Sequence, residues 1–311
     1  MLEFFDRNKQ DIFIIFAITL FAFIIRLISL LNFGDMWVDE IFSLYFASQK
    51  SPVDIFKILY REDFHVPFYF ICLHYWIKLF GNSTEVLRLM GCLFSTFSIP
   101  VCYIFMKNMF NRFAGISSAL FLAISAFNIH YSVEVRFYGI SILFAICSAY
   151  FFVKYIQDFK SKNIVYYSIF TILLLYTYNF AFMYIFCQFV IGGIYLFKFN
   201  KQSFLKFFLL YIIIALIYSP VIIMIFSNAV RYNTTILKFV RDIFTFDITW
   251  YITYLITVFS NLFDQFMINE PALNYLYIKN IFSLKMIFFV LIPVCLGIYG
   301  LFLALKEKNN P

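Results

Sequence analysis

The sequence predicts an all-α integral membrane bundle with about eight transmembrane helices, and three observations predict it. First, 63% of its 311 residues are hydrophobic and only 13% are charged, with a mean hydropathy of +0.86. A soluble domain of this size has no core large enough to bury that much apolar surface. Second, apolar runs recur at a length that matches a hydrocarbon layer of about 30 Å. Third, Lys and Arg collect in the short connectors between those runs, as the positive-inside rule requires.

Read in order, the spans fall at 12–31, 86–106, 113–131, 137–155, 164–179, 180–197, 204–226 and 282–305. The first is long for a signal-peptide core and no small-residue cleavage site follows it, so it reads as an anchor. An N-terminus in the cytoplasm puts the basic connectors inside: Lys107 with Arg112, then Lys154, Lys160 and Lys162, then Lys198, Lys201 and Lys206. Both termini are then inside, and two long segments, 32–85 and 227–281, face outward.

The run Val66–Gly81 is too short to span comfortably. Counting it as a span would invert every later connector, so it reads as a helix lying at the outer interface, with Tyr69, His74, Tyr75, Trp76 and Lys78 suited to that depth. Residues 164–197 present the reverse problem, because one helix of that length would reach about 51 Å. They read as two helices turning near Tyr178-Asn179. The expected division is a membrane module at 1–226, then 227–311 with interfacial helices and a last span. No internal repeat is evident.

The six cysteines lie in apolar segments without CxxC spacing and read as small core residues rather than a disulfide or zinc framework. The net charge of +7 resides in the membrane connectors, so it does not point to nucleic acid.

Polar chemistry therefore concentrates in three outward places. Trp37-Val38-Asp39-Glu40 follows the first span, Phe64-His65-Val66-Pro67 returns to the membrane, and Tyr131-Ser132-Val133-Glu134-Val135-Arg136-Phe137-Tyr138 caps the hairpin between the third and fourth spans. Two adjacent carboxylates at the mouth of a span can serve a reaction between a lipid-borne substrate and a polar one. Asp39 and Glu40 are the catalytic candidates. His65, Arg88, Glu134, Arg136, Tyr138 and Arg26 are the candidates for binding substrate. Each has a plainer reading: Arg26 snorkelling inside the first span, Arg88 anchoring at the interface, His65 shaping the turn before Pro67, and Glu134 pairing with Arg136.

The order W-x-D-E, H-x-P, an apolar helix ending Leu79-Phe80-Gly81, then Leu87-Arg88-Leu89 and Tyr-Ser-x-Glu-x-Arg-x-Tyr resembles the family 39 glycosyltransferases. These are the GT-C membrane enzymes that include protein O-mannosyltransferases and the aminoarabinose transferase of lipid A. Tyr176-Thr177-Tyr178 and Tyr218-Ser219-Pro220 resemble later landmarks, so the likeness runs over roughly residues 10–225. It implies a sugar carried on a polyprenyl phosphate and transferred with inversion to a hydroxyl of a lipid, glycan or protein at the outer face of the cytoplasmic membrane. It assigns to Asp39 the general base that takes the proton of the hydroxyl, and makes Arg136, His65 and Arg88 the candidates for holding the charge of the donor phosphate as it leaves. No metal motif is present, and a divalent cation shared by Asp39 and Glu134 stays open as a cofactor.

Three departures accompany the likeness. The usual His-Pro-Pro is His-Val-Pro here, Tyr178 stands where the family has a histidine, and many members are longer, which makes this a short or truncated member. Two other classes remain alongside the enzyme. A transporter or flippase of lipid-linked sugars predicts ionisable groups at mid-membrane and paired broken helices. An inactive family member acting as an assembly subunit predicts the motifs without turnover.

Overall fold

The computed structural model describes residues 2–62 and 65–231. The last expected span, 282–305, and nearly all of the second outward segment, 227–281, lie outside the described residues. Among the described residues every regular element is helical: α1 (Leu2–Leu31), α2 (Val38–Ala47), α3 (Pro52–Glu62), α4 (Phe68–Phe80), α5 (Thr84–Met109), α6 (Arg112–Ile124), α7 (Ala126–Ser132), α8 (Tyr138–Asp158), α9 (Ser161–Thr177), α10 (Ala181–Phe199) and α11 (Lys201–Arg231).

Within that set, five helices are long and apolar enough to cross a membrane: Lys9–Leu31, Thr84–Met109, Tyr138–Asp158, Ala181–Phe199 and Lys201–Asn228. A sixth crossing forms if α6 and α7, bent by 57° at Ser125, act as one span. Helix α9 occupies the expected 164–179 position but has 17 residues, about 26 Å of helix against a layer of about 30 Å. Large apolar side chains such as Phe13, Phe16, Phe113, Ile194 and Leu216 point away from the protein, as expected where lipid is the solvent.

Polar contacts at the two ends of the helices fix their alternation. Near the start of the first span, Asp11 accepts from the Tyr103 hydroxyl and the Lys107 ammonium, both at 2.6 Å, and from the Arg112 guanidinium. The end of α5 and the start of α6 are thereby tied to the beginning of α1. At the other end of α1, the Gly34 carbonyl accepts from Arg88 in the first turns of α5 at 2.8 Å. So α5 runs antiparallel to α1, and the basic pair Lys107 and Arg112 sits on the Asp11 face.

Helix α4 begins and ends on the Asp39 face. His65, three residues before it, lies 3.2 Å from Arg136. Near its far end Trp76 Nε1 donates to the Val86 carbonyl at 2.7 Å, one turn from Arg88. With 13 residues it is about 20 Å long, short of a hydrocarbon layer of about 30 Å. The stretch 32–85 is more ordered than the sequence suggested, because α2 and α3 also form there. Pro52 starts α3, where its missing N–H is no loss, and His74 bonds the Ala47 carbonyl at 2.8 Å to fasten α4 to the end of α2.

The other half of the bundle is held by buried hydroxyls and one amide. Ser148 on α8 meets Thr171 on α9 at 3.0 Å, while the Tyr167 hydroxyl donates to Gln188 on α10 at 3.1 Å and pairs with Tyr211 on α11. Such interhelical bonds replace the hydrophobic drive that is missing between helices in lipid.

Candidate functional site

Helix α2 begins with the reach-back half of a capping box, in which the Trp37 amide donates to Glu40 Oε2 at 3.2 Å. This fixes the rotation of α2 and sends its two carboxylates in opposite directions. Glu40 is completely buried. Besides Trp37, it accepts from Arg88 Nε at 3.2 Å, Arg88 Nη2 at 3.0 Å and the Val135 amide at 2.8 Å. Four donors on one carboxylate leave no capacity for a substrate.

Arg88 is equally committed, with further bonds to the Gly34 and Asp35 carbonyls and the Phe33 ring 4.8 Å from its guanidinium carbon. Arg26 is fully buried, and its five N–H groups meet Ser95, Ala22, Ala123, Leu122 and Asn128. Glu40, expected in catalysis, and Arg88 and Arg26, expected at the donor phosphate, thus each have partners within the protein. All three side chains are consumed by the framework.

Asp39 faces the other way, and its carboxylate is 40% exposed. Its side-chain partner is Arg136, with Nη2 3.5 Å from Oδ2, longer than a charge-assisted hydrogen bond of about 2.8 Å. The same Nη2 lies 3.2 Å from His65 Nε2. Since a guanidinium cannot accept, the imidazole nitrogen is the acceptor of that pair. Arg136 is only 8% exposed, packs over the Phe137 ring at 5.1 Å, and leaves its Nε buried without a partner. Tyr178, at the position of the family histidine, stacks on the Phe137 ring with centroids 5.0 Å apart.

Glu134 is buried, with Oε1 3.3 Å from His130 Nε2 and Oε2 without a hydrogen-bond partner. It does not pair with Arg136 among the described contacts, so the plainer reading of that motif gives way. Tyr138 opens α8 and packs its ring 4.7 Å from Tyr131. Among the described residues, no group of three His, Cys, Asp or Glu side chains stands close enough together to hold a metal ion.

Several functional positions escape a reading of residue types. The Val135 amide matters only because the bend at residues 133–136, after α7 ends, brings it to Glu40. That segment is held down by two glycines. A Cβ on Gly139 would lie 2.3 Å from the Gly91 carbonyl oxygen, and a Cβ on Gly91 would lie 2.7 Å from the Ser132 carbonyl oxygen. Backbone thus touches backbone where α5 and α8 meet, a small-residue contact typical of membrane helices, and Gly91 and Gly139 were the available signal. Tyr69 lies beneath the cluster, edge-on to Phe137. Burial pushes its phenol well above the usual tyrosine range, with the nearby Arg136 charge opposing, so it keeps its proton.

The arrangement joins an exposed carboxylate to a recessed guanidinium and an imidazole, all at one mouth of the bundle. It offers a proton acceptor beside an anion-holding group. A family model described as dolichyl-phosphate-mannose-protein mannosyltransferase matches residues 65–225. The match includes His65, Arg88, Glu134, Arg136 and Tyr138, and starts after Asp39 and Glu40. No curated protein gives a significant match to the chain.

Proposed function

The chain belongs to the dolichyl-phosphate-mannose-protein mannosyltransferase family and is a membrane glycosyltransferase, and from that premise we propose that Asp39 and Arg136 divide its reaction between them. The donor is a sugar on a polyprenyl phosphate, presented with its phosphate against Arg136 and His65. The acceptor is a hydroxyl of a lipid, glycan or protein at the outer face of the cytoplasmic membrane.

In this reaction the acceptor oxygen attacks the anomeric carbon from the side opposite the phosphate. The new C–O bond forms as the bond to the phosphate oxygen breaks, inverting the centre. The acceptor proton passes to the Asp39 carboxylate, and the electron pair of the broken bond stays on the departing polyprenyl phosphate. Arg136 balances that charge from a recessed position, where it acts in a lower dielectric than bulk water.

The observation that carries the proposal is the loose 3.5 Å contact between Asp39 and Arg136. It holds the carboxylate beside the guanidinium, yet leaves oxygen lone pairs for an incoming hydroxyl. The mid-membrane ionisable group on which a transporter reading depended is Arg26. All five of its N–H groups have fixed partners, which speaks against a polar path through it.

The test uses purified protein in lipid nanodiscs with a polyprenyl-phosphate mannose donor. Asp39→Asn keeps size and hydrogen bonding but removes basicity, so turnover is expected to fall by about 10²-fold or more. Affinity for a polyprenyl phosphate should stay near the wild-type value. A folded Asp39→Asn protein that turns over at the wild-type rate would overturn the assignment of the base.

A further inference from the structure

The break between α6 and α7 contains no proline or glycine; the chain simply leaves the helix at Ser125, with ψ of 113°. Continuing the helix would let the amides of Ala126 and Phe127 bond the carbonyls of Leu122 and Ala123. In the observed bend those two carbonyls accept instead from Arg26, Leu122 from Nη2 at 3.3 Å and Ala123 from Nη1 at 3.2 Å. Backbone acceptors at membrane depth cannot be left without donors, so a side chain from α1 supplies what the helix gives up.

The same guanidinium reaches across the break. Arg26 Nη2 also donates to Asn128 Oδ1 in the first turn of α7, and Ser95 on α5 both accepts from Arg26 Nε at 3.1 Å and donates to Asn128 at 2.7 Å. The Ser125 hydroxyl caps α7 by accepting from the Asn128 amide. Ala22, Ala119 and Ala123 are fully buried around this point and let the three helices come close. Beyond the 57° turn, α7 delivers His130 to Glu134 and Ser132 to its backbone contact with Gly91. The bend that follows carries Val135 to Glu40 and Arg136 to Asp39.

We propose that Arg26 is a positioning residue. It stabilises the bent form of the third span over the straight helix and thereby sets the place of Arg136 at the site mouth, about 8 Å above it along α1. The inference rests on Arg136 being the phosphate-holding group, but its structural part is testable without that reading.

The experiment compares wild type, Arg26→Met and Arg26→Lys in nanodiscs by amide hydrogen exchange and by binding of a polyprenyl phosphate that carries no sugar. Arg26→Met should speed exchange at the Val133 and Val135 amides by about tenfold, with α8 residues Tyr138–Asp158 unchanged. It should weaken polyprenyl phosphate binding by about tenfold, since a displacement near 1 Å is enough for losses of that order. Arg26→Lys keeps the charge but not the fork, so it should fail to restore either property. In an Arg136→Lys background, Arg26→Met should add little further loss of binding, because it acts through the group already removed.

Unchanged exchange at Val135, or acceleration spread evenly over the chain, would overturn the proposal. So would restoration by lysine. If Arg136→Lys itself binds polyprenyl phosphate normally, the phosphate reading fails, while exchange at Val135 still decides the role of Arg26. Should Arg26→Met not fold, Asn128→Ala removes one of the five partners and is expected to show the same local pattern at smaller amplitude.

Discussion

Arg88 and Glu40 form a two-point ion pair sealed from solvent, with Nε to Oε1 at 3.2 Å and Nη2 to Oε2 at 3.0 Å, joining parts of the chain 48 residues apart. A buried pair of this kind is costly to break, because removal of one member leaves the other charged and unpaired. Glu40→Ala is expected to lower stability by about 3–5 kcal/mol, read as a loss of thermal midpoint and of yield in purification. Glu40→Gln, which keeps an acceptor for the Val135 amide, should be milder. A Glu40→Gln protein with wild-type stability but no turnover would return Glu40 to a direct catalytic role.

Arg136→Lys tests the anion-holding group. One ammonium cannot reach His65, Asp39 and a phosphate in the way a planar fork does, so polyprenyl phosphate binding should weaken by about 10-fold to 10²-fold. The thermal midpoint should change little, since the 3.5 Å contact with Asp39 contributes little to stability. Titration of polyprenyl phosphate into the variant decides it, and an unchanged dissociation constant would remove Arg136 from the donor site.

Gly139→Ala should be among the most damaging small substitutions in the chain. Its new methyl would lie 2.3 Å from a backbone oxygen of Gly91, and only separation of α5 from α8 relieves that, at a cost of about 1–3 kcal/mol or more. Gly193→Ala is the matched control, since its Cβ would meet nothing closer than the Phe204 ring at 3.9 Å. There, helix propensity favours alanine by about 1 kcal/mol. Thermal unfolding of the two variants side by side should move in opposite directions.

Topology provides a fourth test. In a cysteine-free background, single cysteines at Asn82 and Asn179 should react with an impermeant thiol reagent from outside intact cells. Cysteines at Asn108 and Lys201 should react only after permeabilisation, because the basic connectors stay in the cytoplasm. Labelling of position 108 from outside would invert the orientation of the bundle and require α4 to be a true span.

The helices were largely legible in the sequence because lipid imposes one rule on them: apolar length with charged ends. The interfacial reading of α4 rests on the same rule, since a crossing there would place Lys107 and Arg112 outside. The break at Ser125 was not legible. No helix-breaking residue marks it, and its cause is an arginine nearly a hundred positions earlier. At the site, residue type singles out Asp39 and Arg136 only as two candidates among several. It did not distinguish them from Glu40, Arg88 and Arg26, because a carboxylate or guanidinium looks the same in sequence whether its partners are substrate or protein. Only the donor count around each group separates them. Two of the decisive partners, the Val135 amide and the Gly34 carbonyl, are backbone and carry no residue signature.

The partners of Glu40 arrive in a fixed order as the chain is made. Trp37 is already present, Arg88 follows 48 residues later and the Val135 amide 95 residues later. The carboxylate is therefore neutralised early, once α5 enters the membrane, but its last donor comes only after α6 and α7 have inserted and turned. Asp39 meets Arg136 at that same moment. A chain halted during synthesis anywhere before that turn presents Asp39 without its Arg136 contact, so this face of the bundle is completed in one late step rather than growing with each helix added.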